Sequence, residues 1–214
     1  MCACGTTERN GFKMELNIAV IGCGMIGREH IERIQNRIRG AQVVAVCDVS
    51  EEGAKKGAEI AGGNVKVYTD FREAINSPDV NAVVVTTPGA FHKDPVIAAI
   101  EAGKPVFCEK PLANIAADCK AVVDAEMASG KHLVQVGFMR RYDRGYKQVK
   151  ELIDSGKFGA PMVIKCTHRA DGVAPDYTTS MAVTDTAIHE IDVLPWLIGD
   201  EWDEVQCIMP KTSS

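Results

Sequence analysis

A doubly wound α/β fold, a parallel sheet with helices on both faces, is the architecture this sequence predicts. Three observations carry the prediction: short Val- and Ile-rich runs recur through the first 137 residues, helical stretches separate them, and a glycine cluster follows the first run. Near-continuous apolar character in each run is the mark of strands buried on both faces, as in a parallel sheet covered by helices.

The expected strands are Leu16 to Ile21, Gln42 to Cys47, Val65 to Tyr68, Ala82 to Thr86, Pro105 to Cys108 and Leu133 to Val136. Between them, periodicity and turn residues predict helices at Ile26 to Ile38, Glu51 to Ala61, Phe71 to Asn76, Pro95 to Ala102 and Ile115 to Ser129. After Gly137 the pattern changes. Arg141 to Ser155 reads as a charged helix, Pro161 to Ala170 as a longer strand, and 171–183 as a loop. Asp185 to Ile198 reads as a helix kinked at Pro195, where a backbone donor is missing, and Val205 to Met209 as a last strand. Two strands are too few for an independent sheet. The expected organisation is therefore a flexible extension at 1–13 with Met14 as a candidate start, a nucleotide-binding domain at 14–137, and the incomplete beginning of a second, truncated α/β substrate domain at 138–214.

Composition narrows the class. The 214 residues are 46% hydrophobic and 25% charged with net charge −5, and the basic residues are dispersed, which argues against nucleic acid or a charged membrane surface as partner. Residues 1–10 have no apolar stretch of signal-peptide type and no run approaches bilayer-spanning length, so the expected compartment is the cytoplasm. Of eight cysteines, Cys23, Cys47, Cys108, Cys166 and Cys207 lie in or beside apolar strand-like runs, where Cys acts as a small hydrophobe, and reduced thiols are expected. Cys2 and Cys4 supply half a zinc ligand set with nothing to complete it, so no metal is expected.

The chemistry-bearing motifs lie at predicted strand ends. Gly22, Gly24 and Gly27, with Cys23, Met25 and Ile26 between them, fit G-x-G-x-x-G directly after the first strand and at the opening of a helix. Asp48 follows 21 residues after Gly27, at the end of the second strand. This context is the dinucleotide-binding fingerprint of the Rossmann fold: glycines let the backbone approach a pyrophosphate, the helix N-terminus stabilises it, and the acid accepts hydrogen bonds from the adenosine ribose hydroxyls. Because the carboxylate repels a 2′-phosphate, NAD is the expected cofactor rather than NADP. Thr86, Thr87 and Pro88 follow the fourth strand at the same sheet edge and are expected to line the cofactor. His92 reads equally as a cofactor contact and as a solvated or capping histidine. Lys110, between Glu109 and Pro111, ends the fifth strand at that edge, where a lysine can reach substrate; a surface lysine snorkelling over a loop is the competing reading.

A second constellation comes later. At about 100° per residue, Asp185, His189 and Asp192 fall within roughly 60° of one another on a helix, forming a stripe of carboxylate, imidazole and carboxylate. A helix-capping Asp185 with a core His189 is the plainer alternative.

Taken together, Gly22-x-Gly24-x-x-Gly27, Glu109-Lys110-Pro111, the run Gln135 to Asp143 and Asp185-x-x-x-His189 resemble the Gfo/Idh/MocA family of NAD(P)-dependent oxidoreductases, over nearly the whole chain from Leu16. The resemblance implies a Rossmann domain joined to an open-sheet domain, with catalytic Lys110, Asp185 and His189 and with Glu109 beside the cofactor. It also implies hydride transfer to NAD from a secondary alcohol of a cyclic polyol, such as myo-inositol going to its 2-keto form. Lys110, Asp185, His189, Met139, Arg140 and His168 are then the candidate substrate contacts. A related sugar or amino-polyol dehydrogenase and a non-catalytic NAD-binding sensor remain alternatives. Ala170 replaces a family Asn that faces substrate, and family members are far longer, so the chain reads as a fragment whose remaining sheet would carry homo-oligomer, tetrameric contacts.

Overall fold

The computed structural model describes residues 15–169, 172, 173, 175 and 177–208. The expected extension at 1–13, Cys2, Cys4, Met14, Ala170 and Met209 lie outside the described residues.

Six strands form one parallel sheet: β1 (Leu16–Ile21), β2 (Ala41–Cys47), β3 (Lys66–Tyr68), β4 (Ala82–Val85), β5 (Val106–Cys108) and β6 (Val134–Val136), in the order β3-β2-β1-β4-β5-β6. The helices between them are α1 (Met25–Arg37), α2 (Glu51–Ala61), α3 (Phe71–Asn76), α4 (Lys93–Glu101) and α5 (Ala116–Ser129). Every expected strand and helix of this region is present, with ends differing by two residues at most.

Strand alternation explains the double winding. On β1, Ala19 and Ile21 pack with Ala45, Cys47, Val83 and Val85 beneath Ile75 of α3, Val96 and Ile100 of α4 and Val122 of α5. Ile18 and Val20 point the other way, with Val43, Val46 and Val84 against Ile31 and Ile34 of α1. Side chains of period two thus feed two separate cores, which is why the strands read as uninterrupted apolar runs. The direction in which successive strands are added reverses between β1 and β4, which are parallel neighbours with Ile18 opposite Ala82 and Ile21 opposite Val85. At such a switch point the loops leaving the two strands diverge and open a crevice at the C-terminal sheet edge.

Ser50 caps α2 by accepting the Gly53 N–H at 3.2 Å, Asp70 caps α3 through the Arg72 N–H at 2.7 Å, and Asp143 caps the later helix α6 (Arg144–Asp154) through the Gly145 N–H at 2.7 Å. Each satisfies a donor that a helix start leaves unpaired.

The chain divides into two compact units, the first ending at Val136 and the second beginning at Gly137. In the second unit a 3₁₀ turn (Met139–Tyr142) precedes α6, and a π-helical segment (Ala182–Ala187) runs into α7 (Ile188–Ile198). Arg141 forks onto the carboxylate of Asp192, with Nε–Oδ2 2.9 Å and Nη2–Oδ1 2.5 Å, tying the 3₁₀ turn to α7. α7 passes through Pro195 without ending.

Three sequence expectations are corrected here. No described residue of 161–169 or 205–208 is in a strand; Met162, Val163, Val205 and Ile208 are exposed instead. β propensity alone does not make a strand, because extended backbone must hydrogen-bond a neighbour and none of the described residues offers these segments one. Cys166 and Cys207 are correspondingly exposed rather than buried in strands. The third correction is the helix expected from Asp185: a π-helical turn occupies its start, so the spacing argument that aligned Asp185 with His189 and Asp192 holds only for the α-helical pair.

Burial, reinforced by the charge of Asp48, pushes the Cys23 thiol up to about 12, and burial likewise raises Cys47 and Cys108 to about 12. The nucleophilic thiolate of these three is therefore scarce at pH 8. A disulfide reagent at pH 8 is expected to label Cys166 and Cys207 in the folded chain and to reach Cys23, Cys47 and Cys108 only in denaturant; native labelling of Cys47 would contradict this burial.

Candidate dinucleotide site and polar cluster

The glycine turn is built by close approach. Gly22 has φ +98°, and a Cβ there would lie 2.7 Å from the Thr87 nitrogen. At Gly27, in the first turn of α1, a Cβ would lie 1.9 Å from the Gly22 carbonyl oxygen. Neither position tolerates a side chain. Gly24 differs, since a Cβ there meets nothing within 4 Å, so the space above it is open. Among the described residues no side chain caps α1, its first turn carries no acid, and Met25 and Ile26 are exposed around it. Open space above donor-rich backbone at a positive helix end fits a pyrophosphate, so the residues present suit a dinucleotide.

Asp48 sits at the end of β2 with both carboxylate oxygens engaged by backbone. Oδ2 accepts the Cys23 N–H at 2.8 Å and Oδ1 the Ser50 N–H at 2.9 Å. A carboxylate oxygen has further acceptor capacity, so these bonds aim the group while leaving lone pairs for ribose hydroxyls.

Thr86, expected to line the cofactor, turns its hydroxyl inward. Its Oγ1 lies 2.6 Å from the Gly22 carbonyl and 3.2 Å from that of Ile21, and the residue is buried. It fastens the β4 loop to the glycine turn. Thr87 is half-buried with Oγ1 3.3 Å from the Phe91 carbonyl, and Pro88 is exposed at the loop tip. His92 is 1% exposed; Nδ1 lies 2.6 Å from the Pro111 carbonyl and Nε2 2.6 Å from that of Thr87. Its polar atoms thus face protein carbonyls rather than an open crevice.

Lys110 follows β5 at the same sheet edge and is half-buried, and the Lys110–Pro111 peptide is cis. Glu109, expected beside the cofactor, accepts from His30 Nε2 of α1 at 2.8 Å through Oε1 and from the Lys110 N–H at 3.2 Å through Oε2. His30 also meets the Phe107 ring edge-on, with centroids 5.5 Å apart. Sequence reading missed His30, whose partner is 79 residues away and leaves no local pattern.

In the second unit, Arg140 and His168 converge on Glu190. Arg140 Nη1 donates to Glu190 Oε1, and His168 Nδ1 lies 3.6 Å from the same oxygen. Burial pushes the Glu190 carboxyl up, but the Arg140 hydrogen bond and charge, with the His168 charge, hold it below the usual range. Met139 is exposed beside Arg140. Asp185 lies in the π-helical segment and His189 is buried on α7. Lys110 belongs to the first unit, Asp185 and His189 to the second.

Burial also works against the Glu109 carboxylate, yet the hydrogen bond and charge of His30 outweigh it, helped by Lys110, and the group sits below the ordinary carboxyl range. A depressed folded value means stability that is present above the unfolded carboxyl value and lost as pH falls through the folded one. Glu109→Gln is therefore expected to cost about 1 kcal/mol in denaturant unfolding near neutral pH. The difference from the parent should shrink in acid; a gap that widens there would contradict the pairing.

Comparison with known proteins agrees with this geometry. Residues 16–138 match the family model described as "Oxidoreductase family, NAD-binding Rossmann fold", and residues 146–214 match the GFO/IDH/MocA C-terminal domain. Curated relatives include inositol 2-dehydrogenases of Azotobacter vinelandii, 53% identical, and Klebsiella pneumoniae, 49% identical, each aligned over 94% of this chain and 60% of the relative. Among solved structures, myo-inositol dehydrogenase from Lactobacillus casei in complex with NAD(H) and myo-inositol is similar with TM-score 0.83 and 43% identity, covering 87% of this chain and 55% of that one. The scyllo-inositol dehydrogenase of the same organism gives TM-score 0.73 at 26% identity, covering 86% and 56%. The chain thus spans about 60% of the length of the curated relatives it matches. An uncapped glycine turn at the sheet's switch point, an acid at the end of β2 and a matching family model across both place this chain in the GFO/IDH/MocA oxidoreductase family.

Proposed function

We propose that this chain is the cofactor-binding part, with the start of the substrate part, of an NAD-dependent dehydrogenase that oxidises a secondary alcohol of a cyclic polyol, with myo-inositol as the favoured substrate. The observation that carries the cofactor reading is the glycine turn with Asp48 beside it, open at Gly24 and closed at Gly27. Substrate class rests on the inositol dehydrogenases among its relatives, at about 50% identity.

The backbone of Gly24, Met25 and Ile26 would hold the pyrophosphate, and Asp48 the adenosine ribose hydroxyls. When bound, the nicotinamide ring supplies an acceptor for the hydride. The chain's own residues must then manage a proton and a developing negative charge. As the carbinol carbon gives up hydride its hydroxyl proton must leave, and an imidazole is the side chain whose proton affinity suits that task near neutral pH. His189 takes the proton in this reading, and Asp185 orients the ring and stabilises its charged form. Lys110 supplies positive charge to the oxygen as alkoxide character grows. Arg140 keeps donors beyond those used on Glu190, and with His168 and Met139 it would meet the remaining hydroxyls of the ring.

Lys110→Ala in the full-length protein is expected to leave NAD affinity within about threefold by calorimetry while lowering turnover about 10²- to 10⁴-fold. Equal loss of binding and turnover would remove Lys110 from the chemistry. A substrate panel read by NADH absorbance is expected to favour inositols over hexoses; activity on glucose with none on any inositol would overturn the substrate assignment.

A further inference from the structure

We propose that His92 is a positioning residue for Lys110, acting through the backbone on its C-terminal side; the inference rests on the catalytic role given to Lys110 above. The residues 87–92 form a tightly knit turn. The Phe91 N–H donates to the Pro88 carbonyl at 2.8 Å, and Thr87 Oγ1 lies 3.3 Å from the Phe91 carbonyl. His92 spans from inside that turn to the β5 loop, with Nε2 on the Thr87 carbonyl and Nδ1 on the Pro111 carbonyl, each at 2.6 Å. Carbonyl oxygens only accept and a neutral imidazole carries one N–H, so the ring donates to one of the two carbonyls at a time, and the clamp is the tautomer with that proton on Nδ1, facing Pro111.

A second observation marks the same junction. A Cβ at Gly89 would lie 2.5 Å from Asn114 Oδ1 and 2.9 Å from Pro111 Cγ, so the two loops meet closely along their length. The Lys110 segment is therefore held from both sides. Glu109 is fixed to α1 by His30, and Pro111 is fixed to the β4 loop by His92. The β4 loop is itself fastened to the glycine turn through Thr86. A buried histidine on this path sets where the backbone carries the lysine. It does so without touching substrate, and misplacement of such a group by about 1 Å is enough to cost about 10²-fold in rate.

Two substitutions separate the halves of the contact. The amide nitrogen of Asn lies near the position of Nδ1, and that of Gln near the position of Nε2. In the full-length protein, His92→Asn places an N–H donor at the Pro111 carbonyl, whereas His92→Gln places one only at the Thr87 carbonyl. Expected results are a kcat lowered about 10- to 100-fold in His92→Ala and His92→Gln, with NAD affinity and polyol KM within about threefold, and substantial rescue of kcat in His92→Asn. Equal rescue by Asn and Gln, or an unchanged kcat in His92→Ala, would overturn the proposal. Backbone deuterium exchange across residues 109–115 reads the same clamp without catalysis. Faster exchange in Ala and Gln with parent-like exchange in Asn supports it even if no polyol is turned over, in which case the proposed function fails alone. Parent-like exchange in all three variants would overturn the clamp whatever the activity.

Discussion

The structure depends on one close approach. α1 must begin almost on top of the turn that precedes it, and the space for a side chain at Gly27 is already filled by the Gly22 carbonyl oxygen, 1.9 Å from where a Cβ would stand. That carbonyl is in turn within 2.6 Å of the buried Thr86 hydroxyl, so the loops leaving β1 and β4 are fastened at the point where the strand order reverses. Backbone donors at the helix start are thereby presented outward, with no side chain among the described residues to cap them.

Charge is distributed around that turn in a consistent way. Asp48 and Glu109 stand at the ends of β2 and β5, and each is held by backbone N–H groups or by a histidine rather than by an exposed ion pair. Fixed carboxylates of this kind lose little orientation entropy when a ligand arrives. The exposed pairs, such as Lys55 with Glu51 and Lys56 with Glu52 on α2, lie one helical turn apart and are screened by solvent, so they add little to stability. The ordered polar groups are concentrated at the sheet edge and the solvated ones on the helix faces.

Much of the first unit was legible because its signals are local. Val- and Ile-rich runs, the turn residues before the helices and the glycine spacing all report on neighbours within a few residues. What the sequence left open depends on residues far apart in the chain. Thr86 reads as a cofactor contact until its hydroxyl is seen on Gly22, 64 residues earlier, and His92 reads as a helix-start histidine until its ring is seen against Pro111. His30 has no motif at all. In the second unit the apolar runs at 161–169 and 205–208 carry strand propensity without a strand, because sheet formation needs a partner that composition does not reveal. The π-helical start at 182–187 breaks the angular bookkeeping that a regular helix allows.

The most direct test of the account is a deuterium-exchange footprint of NAD on this protein. Added NAD is expected to slow exchange at residues 22–28 and 48–53, the glycine turn and the Asp48 loop, and NADP to do so far less. Protection confined to other segments, or none at concentrations of NAD near about 1 mM, a common upper limit for working affinities, would contradict the claim that this turn is built for a dinucleotide.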